Sequence, residues 1–90
     1  MANVTFINAL NNDAHLHMRI GSIDVHPDER GIKNDVIKKG ESADYNVDDG
    51  DVWFCFGNQM VNSAQNPELC NAVGGSTVTL NATKPCYVQN

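Results

Sequence analysis

The chain has 90 residues, 41% hydrophobic and 19% charged, a balance that suits one folded domain and excludes a disordered segment. Its formal charge of -5 comes with only six basic residues, spread from Arg19 to Lys84, so a phosphate-binding face for nucleic acid is excluded. No apolar run approaches the roughly twenty residues that a membrane span requires, and Met1-Ala2-Asn3-Val4-Thr5 lacks the pattern of a signal peptide, as expected of a mature fragment with an added start.

Residues 4–10 open the chain as a strand dominated by β-branched and aromatic side chains. Asn11-Asn12-Asp13 turns it into residues 14–20, where Leu16, Met18 and Ile20 alternate inward and His15, His17 and Arg19 outward; the two strands are expected to form a hairpin. The alternation continues through Ile23-Asp24-Val25-His26 until Pro27, which has no ladder donor. A charged loop over 27–31 then leads to a short strand at 32–38.

Ala43, Tyr45 and Val47 alternate with Ser42, Asp44 and Asn46, again a half-buried strand. Asp49-Gly50 is a preferred pair for a primed hairpin turn, and Val52-Trp53-Phe54-Cys55-Phe56 is apolar on both faces. This predicts a hairpin whose second strand is central, with Trp53 and Phe54 in the core. Residues 58–75 are polar, rich in Asn and Gln and broken by Pro67. Asn66 as cap, Pro67 at the first position and Gly74 past the end predict at most one helical turn over 67–73. Residues 76–81 and 85–89 read as two further strands.

Seven short strands with turn signals between them predict an all-β domain spanning 1–90, a small antiparallel β-sandwich, with a small β-barrel as the alternative. Three cysteines, Cys55, Cys70 and Cys86, permit one disulfide. The expected pair is Cys55 with Cys70, which would staple the polar loop; the competing pair is Cys70 with Cys86. Such a bridge in so small a domain points to a secreted or periplasmic protein.

Residues able to carry chemistry are few. His15 and His17, with Asp24 and His26 repeating the two-residue spacing, sketch a metal site, yet no ligand spacing supports it and outward alternation explains the pattern, so no metal or other cofactor is expected. The acidic run Asp44, Asn46, Asp48, Asp49, Asp51 lacks the Gly and Glu of a calcium loop and reads as turn chemistry. No cysteine has a histidine base and orienting group recognisable from spacing, so an enzyme is not expected. What remains is a non-catalytic binding module that presents Asn58, Gln59, Asn62, Gln65, Asn66 and Glu68 to a protein or glycan, long polar loops on rigid scaffolds being common recognition sites. The alternative is a small enzyme inhibitor or secreted effector using the same loop.

Overall fold

A computed structural model describes residues 2–22, 24–47, 50–57, 69–81 and 88–89. Among them run eight strands, β1 (Asn3–Asn8), β2 (Ala14–Ser22), β3 (Gly31–Ile37), β4 (Ser42–Asn46), β5 (Gly50–Gly57), β6 (Cys70–Val73), β7 (Thr77–Leu80) and β8 (Val88–Gln89), with one 3-10 turn at Pro27–Glu29. They form two four-stranded sheets, ordered β4-β1-β7-β8 and β3-β2-β5-β6, packed as a small β-sandwich. No described helix is long and apolar enough to cross a membrane.

The core is what the alternation dictates. Val4 and Phe6 of β1, Tyr45 of β4, and Val78 and Leu80 of β7 face Leu16 and Met18 of β2, Val52 and Phe54 of β5, and Ala72 of β6, all buried. Phe6 sits at the centre, edge-on to Phe54 with ring centroids 5.0 Å apart and to Tyr45 at 5.6 Å, arrangements that add to plain area burial. Trp53 lies on the other side of β5, half-buried, so Phe54 belongs to the core and Trp53 to the outer face of its sheet.

Partner assignment differs from the sequence reading. β1 pairs with β4 antiparallel and with β7 in parallel, while β2 pairs with β3 and β5. The β1–β2 and β4–β5 connections are therefore crossovers between sheets rather than hairpins. Gly50 is required for a different reason than the positive φ of a primed turn: a Cβ there would stand 2.0 Å from the Gly21 carbonyl oxygen, so only glycine admits the approach of β5 to the end of β2. β5 is central as expected, between β2 and β6.

Two further differences concern short segments. Residues 24–26 form a turn and bend rather than an extension of β2. Cys70–Val73, expected to be part of a helical turn, form β6 on the edge of β5, because that edge has unpaired backbone groups and four residues are too few for a stable helix. Gly75, at φ 92°, then turns the chain into β7 while its N–H donates to the Asn3 carbonyl at 2.8 Å.

Buried polar groups pin the corners. Asn8, on the inner face of β1, donates from Nδ2 to the carbonyls of Asn12 and Ile37 and accepts at Oδ1 from the Leu10 N–H, so one side chain closes the β1–β2 crossover and ties it to β3. At the opposite end of β2, buried Arg30 lies over Gly21, pairs with Asp51 and donates from Nε to the Val25 carbonyl at 2.7 Å. Asn71 Nδ2 donates to the second Asp51 oxygen at 2.8 Å. Every group in this cluster has its hydrogen bonds, the condition under which a buried ion pair is tolerated.

Candidate functional site

The outer face of the β3-β2-β5-β6 sheet collects most of the chain's chemistry. Residues directly opposite in a ladder share a face, so the register sets out rows across it: Val36, His15, Gly57; then Asn34, His17, Cys55; then Ile32, Arg19, Trp53, Asn71. The middle row unites three residues that are 21 and 17 positions apart in pairs along the chain and that no local spacing connects.

His17 is only 3% exposed, although it sits on the face that the alternation turned outward. Its Nδ1–H donates to Asn34 Oδ1 at 2.8 Å, which fixes the tautomer and leaves Nε2 as an acceptor. That Nε2 is buried with no hydrogen-bond partner among the described residues, and so is the indole Nε1–H of Trp53, a donor, one row away. An unpaired buried polar group costs roughly 1–3 kcal/mol, so a water or a polar ligand group beside either atom would be favourable.

Cys55 stands across from His17 as a buried free thiol. The bridge expected between Cys55 and Cys70 is therefore not formed, and the register gives the reason. Cys70 lies opposite Phe54 and packs against the core, whereas Cys55 faces the other way, so the two sulfurs are on opposite faces of one sheet. Cys70 is not a free thiol.

The row Cys55, His17, Asn34 has the order of nucleophile, base and orienting group. Burial nevertheless pushes the Cys55 thiol up from its ordinary value, and Nε2 makes no bond to it, both of which hold it in the unreactive form. The metal constellation sketched by His15, His17, Asp24 and His26 does not assemble: His26 and Asp24 are exposed beyond the end of β2, His26 accepts from the Asp28 N–H, and no group of three His, Cys, Asp or Glu able to hold a metal occurs among the described residues.

Asn58, Gln59, Asn62, Gln65, Asn66 and Glu68, the loop residues proposed from sequence, lie outside the described residues. Of the flanking residues, Gly57 ends β5 and Cys70 begins β6, neighbouring antiparallel strands. What sequence reasoning missed is the pairing of His17 with Asn34 and Cys55, since only the register, set by distant strands, brings them together. No protein-family model, curated protein or solved structure matches this chain.

Proposed function

We propose that this protein is a non-catalytic binding module, working outside the cell or in the periplasm, that takes a glycan or a hydroxyl-bearing protein segment on the outer face of the β3-β2-β5-β6 sheet. The observation that carries this reading is the pair of buried unpaired groups, His17 Nε2 and Trp53 Nε1–H. A hydroxyl is both donor and acceptor, so the hydroxyls of a sugar would supply the donor that His17 Nε2 lacks and the acceptor that Trp53 Nε1–H lacks, and the half-buried Trp53 ring offers an apolar face beside them. Both atoms are buried, so the ligand reaches them only when this face opens, which slows association.

The extracellular setting rests on the cysteines. With Cys55 free and on the wrong face, the remaining pair is Cys70 with Cys86, and such a bridge requires an oxidising compartment. The raised Cys55 thiol supports the non-catalytic half of the proposal.

A glycan array with the native chain, His17→Phe and Trp53→Phe tests it. Each substitution removes one unpaired atom and keeps a ring, so both variants are expected to melt at or above the native midpoint while losing array signal. Native protein that binds no glycan, or signal that survives both substitutions, would overturn the reading. Capture of a secreted enzyme in place of glycans would instead establish the inhibitor alternative.

A further inference from the structure

The geometry points to a symmetric homodimer in which two copies pair edge to edge through β3, antiparallel, about a two-fold axis at Asn34. β3 is an edge strand, and every residue from Gly31 to Val36 is exposed. An open edge of this length is a template for another strand, and proteins that must stay monomeric place protective charges there. The charges on β3 are Lys33 and Asp35, and their placement fixes a partner instead of merely repelling one.

Read outward from Asn34, the strand is complementary to itself. When Asn34 faces Asn34 of a second copy in antiparallel order, Lys33 faces Asp35 and Ile32 faces Val36, each pair occurring twice. Opposite charges directly across a ladder attract, and aliphatic pairs on one face bury each other. Ile32 and Val36 are 56% and 43% exposed, both on the outer face, and the dimer would gather all four of these side chains around the two asparagines. An interface that matches a patch to itself is what a two-fold requires.

The hydrogen-bonding parity agrees with this register. The Val36 N–H donates to Asp35 Oδ1 at 2.9 Å rather than into the sheet. Backbone groups along an antiparallel strand point alternately to either side, so Ile32, Asn34 and Val36 direct their N–H and C=O groups to the open edge. The two-fold at Asn34 pairs even residues with even residues, and each such pair exchanges two N–H···O bonds. Lys33 and Asp35 then fall at the non-bonded positions, where side chains come closest.

Neighbouring registers of the same parity are repelled. A shift one way sets Asp35 against Asp35, and a shift the other way sets Lys33 against Lys33. In the monomer Asp35 Oδ1 occupies the Val36 N–H; pairing hands that N–H to the second copy and releases Oδ1 for the incoming Lys33, while Oδ2 keeps its bond from the Tyr45 hydroxyl.

Sedimentation velocity of the full chain over a concentration series is the test, with circular dichroism and melting as controls of folding. The native chain is expected to dimerise, Lys33→Glu to weaken that dimer about tenfold or more through two like-charge contacts, and Asp35→Lys to do the same. Mixing the two variants restores attraction at both contacts, so a heterodimer forms where neither variant pairs alone. Amide exchange gives an independent readout that survives any folding defect of Asp35→Lys: the N–H groups of Ile32, Asn34 and Val36 in the native chain should slow as concentration rises. A native chain that stays monomeric throughout, a dimer indifferent to Lys33→Glu, or exchange at these amides that ignores concentration would overturn the proposal.

Discussion

At Tyr45, one hydroxyl joins the two sheets and carries a pH signature. The ring packs edge-on to Phe6 in the core while the hydroxyl donates to Asp35 Oδ2 of β3 at 2.6 Å. That bond is the leading reason the Asp35 carboxyl lies below its ordinary value; the Val36 N–H and the Lys33 charge add to it, and slight burial opposes it. The sign follows from the carboxylate being the bonded form. Stability from this contact is complete above the unfolded value of 3.8 and is lost as pH falls through the lower folded value. Tyr45→Phe is therefore expected to cost about 1 kcal/mol near neutral pH, with the gap between variant and native denaturation midpoints closing as the solution is taken below pH 3.8. A gap that stays constant through that range would show that the cost does not come from the bond to the Asp35 carboxylate. Burial and the Asp35 charge push the Tyr45 phenol itself well above its usual range, so mild alkali should leave the contact intact.

Among the elements, β5 carries the heaviest demands, with Val52 and Phe54 in the core and Asp51 and Cys55 buried on the opposite face. Asp51 holds Arg30 and, through it, the stretch from Val25 to Arg30 across the end of β2. Arg30→Met leaves the Asp51 carboxylate buried with only Asn71, and is expected to cost roughly 3–5 kcal/mol in a urea titration. The double replacement Arg30→Met with Asp51→Leu removes both charges and should recover most of that loss. If single and double variants were equally destabilised, the pair would owe its importance to packing volume rather than charge. Much of β5 was legible beforehand, because a run apolar on both faces belongs in a central strand whatever its neighbours are. The neighbours were not legible. Alternation in β2 and β4 says which side chains turn inward, and that survived: Leu16, Met18 and Tyr45 are all in the core. It is silent on which strand lies alongside, and Asp49-Gly50 punctuates a crossover between sheets as well as it does a hairpin. β6 escaped notice for the same reason, being a strand only because β5 offers it an edge. The burial of His17 also depends on what lies over an outward face, which periodicity does not encode.

For the whole molecule, cohesion depends on what joins the two sheets, whose edge strands include β6 and β8. The chain crosses between sheets at β1–β2, β3–β4, β4–β5 and β6–β7, and the domain is thin, measuring 35 × 27 × 19 Å, so the core alone gives it a small margin. Cys70 faces inward at the start of edge strand β6, and β8, which follows Cys86 in the chain, is an edge strand of the other sheet. A bridge from Cys70 to Cys86 would close a loop of about 16 residues across the two layers, for which chain entropy gives roughly 3 kcal/mol. In a domain of this size that corresponds to a melting point lowered on the order of 15 °C on reduction. The free thiol provides the complementary measurement. Buried on the outer face and pushed up by that burial, Cys55 should resist alkylation in the native protein and react once denaturant is added. Peptide mapping without reduction is expected to yield one linked pair holding Cys70 and Cys86, with Cys55 as the sole labelled cysteine after unfolding. Three labelled cysteines in protein taken from its native compartment, or a linked peptide containing Cys55, would refute the bridge and with it the argument for an oxidising compartment.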